Sequence, residues 1–281
     1  MRDRENKKIG NIFISKAIVL FALAILFVPE AKSSSGAFFE KFGVKCSIDE
    51  SESMERSKDS DWWVNSGGKM LCRKGTGRTL QKNIPPNSKW RKEYKKTNPK
   101  DTDGGKHPQN IFRLISKSEW QNFSQEASFR INKFNLSKSP NRNESNGILF
   151  LGRYQDSENL YYAGIRVDGY AVIKKKINGE YFEMAHNRLF STKKYNRQSA
   201  SRSHLLPKKK WISLKSEIRD TDSGNVEMKL YIKKKKEWIL AAEAHDEPGK
   251  YGGNVISGNG HAGIRTDFMD VEFDKYRMTE I

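Results

Sequence analysis

Residues 147–185 read GILFLGRY-QDSEN-LYYAGIRV-DG-YAVIKKKI-NG-EYFEMA. Short runs rich in β-branched and aromatic residues, bounded by turn residues, form strands. Asp168-Gly169 and Asn178-Gly179 are hairpin dipeptides, because a type I′ turn needs positive φ at both central residues. None of the four runs contains proline, which would remove a ladder hydrogen bond from a central strand. The stretch is therefore predicted to be a four-stranded antiparallel meander.

The same period-two pattern continues downstream. In VEMKLYIK (226–233), Val226, Met228, Leu230 and Ile232 share one face. In WISLKSEIR (211–219), Ile212, Leu214 and Ile218 do the same, and DTDSGN separates the two runs as a turn. Further strands near 111–115, 121–131, 238–244 and 261–278 bring the total to at least ten. Two packed sheets, each hiding an inner face, solve the burial problem that so many strands pose. The expected fold class is all-β: a two-sheet antiparallel jelly-roll sandwich behind an N-terminal signal or anchor helix. No helical periodicity is read beyond that segment.

Upstream, residues 1–16 are basic and residues 17–28, AIVLFALAILFV, are uninterruptedly apolar. Pro29 and the small residues AKSSSG follow, the order of a secretory signal peptide. Twelve helical residues span only ~18 Å, short of the ~30 Å hydrocarbon core, so cleavage is expected ahead of anchoring. The division is residues 1–33 signal peptide or uncleaved anchor, 34–58 polar linker, and 59–281 the β domain. Export implies a secreted or cell-surface location, with membrane contact only through an uncleaved N-terminus. It also permits a disulfide between Cys46 and Cys72, the only two cysteines. Residues 83–108, NIPPNSKWRKEYKKTNPKDTDGGKHP, read as loop from their Pro, Gly, Asn and Asp content.

The order NGILFLGRY, NLYYAGIRVDG, NGEYFEMA, then WISLKSEIR, VEMKLYIK and the closing GHAGIRTDFMDVEFDKYRM resembles the concanavalin A-like lectin/glucanase class, which includes laminin G-like domains. The resemblance covers about residues 59–281. It implies the jelly-roll fold and a glycan-related role, but the class spans lectins, binding modules, adhesion domains and glycan-cleaving enzymes, so fold does not decide activity.

No catalytic residue is assigned. Laminarinase-like members carry a Glu-x-Asp-x-x-Glu strand; the nearest counterpart, DFMDVEFD with Asp267, Asp270, Glu272 and Asp274, lacks the first Glu and has the wrong spacing. Asp270, Glu272 and Asp274 are placed on one strand face, for which a solvated polar face backed by Phe268, Val271 and Phe273 is the plainer account. Arg153, Tyr154, Tyr161, Tyr162, Arg166 and Lys174 come from neighbouring strands of the meander and are the candidate ligand-binding set. Aromatic rings stack on sugars, and cations bind carboxylates. The same residues could neutralise a uronate for a lyase, and cross-strand Tyr–Arg packing is the plainer account.

The formal net charge is +18; residues 1–33 hold six Lys/Arg and three Asp/Glu, which leaves +15 on the rest. That sign favours acidic partners. The runs Lys174–Lys176, Lys208–Lys210 and Lys233–Lys236 point to an acidic glycan, the second against Trp211 and the third near Trp238. Strand alternation keeps any one run from forming a patch by itself, and lysines also guard sheet edges. Nucleic acid is not an expected partner, given export and the lack of a recognition motif. No cofactor or metal site is assigned. The turns DTDGG (101–105) and DTDSGN (220–225) offer calcium-type oxygen ligands without a full binding loop, and Asx-turns account for them as well. The expected function is a non-catalytic carbohydrate-binding module favouring acidic glycans. The alternatives are an extracellular polysaccharide lyase or glycoside hydrolase, and an envelope adhesion module.

Overall fold

The computed structural model describes residues 36–43 and 45–281; the expected signal or anchor, residues 1–33, lies outside them. Two sheets form, with every strand pairing antiparallel. Strands are numbered in chain order. The nine-stranded sheet runs β14 (Glu237–Asp246), β13 (Val226–Lys234), β12 (Trp211–Asp220), β7 (Phe123–Phe134), β16 (Met269–Glu280), β5 (Thr76–Thr79), β4 (Lys69–Arg73) and β2 (Ser47–Asp49), and β1 (Ala37–Glu40) also pairs with β16. The seven-stranded sheet runs β11 (Glu180–Arg188), β10 (Tyr170–Ile177), β9 (Leu160–Arg166), β8 (Gly147–Tyr154), β15 (Gly260–Asp267), β6 (Ile111–Trp120) and β3 (Trp62–Ser66).

The meander of 147–185 is present, strand beside strand, as β8 to β11. Its turns differ in kind. Asn178 and Gly179 both take positive φ, 49° and 84°, as a type I′ hairpin requires. At Asp168-Gly169 only the glycine does, at 87°; its N–H donates to Arg166 O, which makes a three-residue connection ending in left-handed glycine rather than the expected type I′ turn.

The inner faces of the two sheets make one core. Phe150 of β8 meets Phe129 of β7 edge-on at 5.6 Å, and Trp62 of β3 meets Tyr276 of β16 at 5.0 Å. The predicted inward rows, Ile212, Leu214 and Ile218 with Val226, Met228, Leu230 and Ile232, are all buried there. The interior also holds charge. Lys175 and Asp246 are both fully buried and pair at 2.9 Å; Tyr161 donates its hydroxyl to the same carboxylate, and Lys175 donates to Asn254 O at 2.7 Å.

Three expectations are corrected. Residues 34–58 are not a detached linker: β1 and β2 within it pair with β16 and β4, and Cys46 is disulfide-bonded to Cys72 in β4. Apolar residues Phe38, Phe42 and Ile48, spaced among charges, are what the sandwich captures. Residues 83–108 are not all loop: Lys89–Thr97 form a helix, α1, with charged residues on most sides and Tyr94 as its buried contact. Tyr94 donates to Glu50 Oε2 at 2.6 Å and accepts from Gly67 N–H at 2.8 Å, so one phenol docks the helix. The run near 261–278, counted as one strand, is two, a glycine-led strand and a last one, as the resemblance implies. Phe268, at φ 52°, turns the corner between β15 and β16, which belong to different sheets.

His204 stacks on Phe134 with centroids 4.0 Å apart, and neither ring nitrogen has a hydrogen-bond partner among the described residues. Burial, helped by the charge of Arg142, holds its pKa down to about 3 from an ordinary 6.5. The unfolded chain therefore takes up a proton first, and stability falls as pH drops from about 6.5 towards 3. His204→Phe is expected to flatten that acid limb by on the order of 2–4 kcal/mol near its end. Urea midpoints measured across pH test this, and a wild-type slope in the variant would reject it.

Candidate functional site

A cleft of about 550 Å³ opens on the outer face of the seven-stranded sheet. Its floor follows from register. Ser66, Arg113, Arg265 and Leu149 stand opposite one another across β3, β6, β15 and β8. Lys174 faces Tyr162 across β10 and β9, and Tyr181 of β11 faces Lys176. On the same face an apolar cluster, Trp63, Ile115, Leu151, Tyr154, Leu160 and Val172, packs with Leu149 and Tyr162 of this row.

One rim is built by the connections 98–110 and 135–146. Asp101 accepts from Ser139, Asn141 and Asn98, and Asp103 from Ser137 and Asn110 while facing His107 at 2.7 Å. The carboxylates of the DTDGG turn thus fasten the rim together, as Asx-type networks do. Asn141, Asn143, Ser145 and Asn146 line the cleft from it. Asp220, in the other oxygen-rich turn, pairs with Arg153.

At the centre, Arg265 donates Nε to Asp267 Oδ1 at 2.9 Å and Nη1 to the hydroxyls of Tyr162 and Tyr181 at 3.2 Å each. Burial works against the guanidinium charge, but Asp267 and the two phenols outweigh it and hold its pKa well above the usual. The two tyrosine rings stack at 6.0 Å with planes 28° apart. Burial raises the phenol of Tyr162; burial also pushes Tyr181 up, but Arg265 and Lys176 more than compensate and leave it below its ordinary value. Lys174 is 9% exposed, and its ammonium reaches only Ser145 O, at 3.4 Å. Burial first, then the charges of Arg166 and Arg265, push its pKa down to about 8. Neither Lys174 nor Arg113 is in an ion pair among the described residues.

The candidate set does not stay together. Tyr162 and Lys174 line the cleft. Tyr161, next in sequence, points to the other side and joins the buried Asp246 network. Arg153 is fully buried; an irregular register between β8 and β15 and its φ of 45° turn it inward onto Asp220 and Ile256 O. Tyr154 packs on Trp63. Arg166 is held by Asp168 and Glu183 at the edge of the face. Strand alternation and one bulge forbid a common face for all six. The expected row Asp270, Glu272, Asp274 is broken in the same way. A register shift after Asp270 buries it under Gln109 and Asn135, whereas Glu272 faces outward to Arg130.

Arg113, Arg265 and Tyr181 were missed, and Asp267 was read only as part of the acidic strand DFMDVEFD. Tyr181 was accessible to reasoning: the Asn178-Gly179 hairpin fixes it opposite Lys176, on the Lys174 side. The arginines carry no local signal, because only pairing between distant strands brings them together.

Glu227, Glu243 and His245 also gather their ligand atoms, on β13 and β14, but Lys229 Nζ already bridges the two carboxylates at 3.0 and 3.4 Å.

No family model and no curated protein sequence matches this chain. Among solved structures it is similar to the carbohydrate binding module CBM66 from Bacillus subtilis, at 14% identity and a TM-score of 0.47 over 77% of this chain and 94% of that one. A protein with a galectin-like fold from Bacillus subtilis gives 12% and 0.45, covering 86% and 98%. The Bacillus licheniformis beta-glucanase gives 11% and 0.43, covering 88% and 100%. At such scores the likeness concerns strand arrangement, and neither ligand nor activity transfers with it.

Proposed function

We propose that the chain is an exported carbohydrate-binding protein, secreted or surface-held, whose cleft takes an acidic sugar without cleaving it. The observation that carries this reading is the pair of cations facing the cleft, Lys174 and Arg113, with no carboxylate partner among the described residues. A buried ammonium that lacks a counter-charge is costly, and a ligand carboxylate would complete it. Tyr162 and Tyr181 offer ring faces for a pyranose, and the rim asparagines offer donors and acceptors for hydroxyls. The volume suits a small number of sugar units rather than a long chain.

Lys174 gives the reading a signature. Its ammonium is protonated below about 8 and neutral above. Affinity for a uronate oligosaccharide is therefore expected to fall roughly tenfold as pH rises through that value, by loss of one charge-assisted contact. Lys174→Met should bind weakly throughout and lose the pH dependence. Calorimetric titration between pH 6 and 10 decides it; wild-type affinity in the variant would remove the cleft from consideration.

One observation favours a second reading, a lyase of acidic polysaccharide. Tyr181, its phenol below the ordinary value beside Arg265, has the placement of a proton acceptor next to a charge neutraliser. Incubation with a panel of uronate polymers separates the two, since elimination releases unsaturated products that absorb in the ultraviolet and binding alone does not.

A further inference from the structure

The opposite, nine-stranded sheet carries a second cluster that the cleft does not use. β12 begins at Trp211, directly after Lys208–Lys210. β13 ends in Lys233 and Lys234, and Lys235–Lys236 turn the chain into β14, where Lys233 stands opposite Trp238. Leu214 pairs with Ile232, so the start of β12 lies beside the end of β13. Topology thus brings both lysine runs to one end of the sheet. All of Lys208–Lys210 and Lys233–Lys236 are exposed, and none is in an ion pair among the described residues.

Between the runs lies an aromatic surface. Ile212, Leu230 and Ile232 are buried, so Trp211, Tyr231 and Lys233 face outward. Trp211 is 43% exposed and Leu240, opposite Tyr231, 46%. The Arg130 guanidinium stands 4.7 Å from the Trp211 ring, Lys233 5.2 Å from Trp238, and Lys215 4.2 Å from Tyr231. Strand spacing and rise put the two tryptophans about 12 Å apart at Cα, near the length of two pyranose units.

We propose that this end of the sheet is a second binding face, for an extended anionic polysaccharide whose rings stack on Trp211 and Trp238 while its carboxylate or sulfate groups meet the two lysine runs. Unpaired positive charge selects a polyanion. The rings lie along strands, and the hairpin tip is Lys235-Lys236, so the surface is a platform rather than an apolar wedge of the kind that enters a membrane. This face stands independently of the cleft, and a molecule with both would join two chains.

Affinity of the full chain for polygalacturonate and for heparin, with turbidity as a readout of cross-linking, tests this. Trp211→Ala/Trp238→Ala keeps every charge, and Lys233–Lys236→Ser keeps both indoles. Each is expected to bind at least one polymer roughly tenfold weaker and to lose cross-linking. Carboxylate and sulfate ligands are told apart by which polymer responds. Lys174→Met, a cleft variant, should keep binding at this face. Wild-type affinity and cross-linking in both face variants would overturn the proposal without touching the cleft. So would binding to vesicles containing phosphatidylserine with none to either polymer.

Discussion

Asp246→Ala is expected to lower the unfolding free energy by about 3–5 kcal/mol, the largest loss of any single substitution considered. The carboxylate is the counter-charge of Lys175, and both side chains are wholly buried. Without it an ammonium is left inside the sandwich with Asn254 O as its one hydrogen-bond acceptor among the described residues, and the Tyr161 hydroxyl loses its acceptor. Burial and Asp246 together now hold that phenol far above its ordinary pKa. Lys175→Met/Asp246→Leu, which removes both charges, should recover most of the loss, because an apolar pair avoids desolvating two ions. Denaturant unfolding of the three variants tests this. A double variant as unstable as the single one would mean that the network acts through geometry and not charge.

Removing the disulfide ranks second. Cys46→Ala/Cys72→Ala opens a loop between residues 26 apart in sequence and is expected to cost about 3 kcal/mol through the freed unfolded chain. The Cα atoms lie 4.6 Å apart, within the span a bridge needs. The effect should concentrate where the bridge sits. β2 is three residues long and pairs only with β4, so hydrogen exchange there should accelerate before the central strands respond. Thermal unfolding of the oxidised wild type and the variant measures the first effect; equal midpoints would show that packing of Phe42 and Ile48 alone secures the segment.

How far the sequence speaks depends on where the decisive partner lies. β8 to β11 were legible because turn chemistry and alternation are local, although β11 runs on to Arg188, past the expected end at Ala185. α1 was not: nearly every one of its residues is polar, so no apolar stripe marks it, and polar contacts hold it, Tyr94 to Glu50, Trp90 to Asp49 and Arg91 to Ile84 O. Lys175 reads as one of three surface lysines, yet alternation sends it inward to an aspartate 71 positions later. The candidate site was half legible for the same reason. Tyr162 and Lys174 sit on strands whose register the hairpins fix, whereas Arg113 and Arg265 arrive from strands that pair only when the sandwich closes. Arg153 was misplaced by a bulge, a one-residue event with no clear signature in composition.

The corner at Phe268 has a temporal side. The last 22 residues supply β15 to the middle of one sheet and β16 to the middle of the other, where it meets β7, β5 and β1. Neither sheet is complete until β15 and β16 have been made, and residues 37–40 pair with 276–279 across a very long stretch of sequence. Such long-range closure is slow compared with hairpin formation. During synthesis the meander can form while the sandwich stays open, with its apolar faces and buried-charge partners apart. Loss of β16 would leave the nine-stranded sheet, and loss of β15 with it the seven-stranded sheet as well, with a gap in the middle rather than a frayed edge.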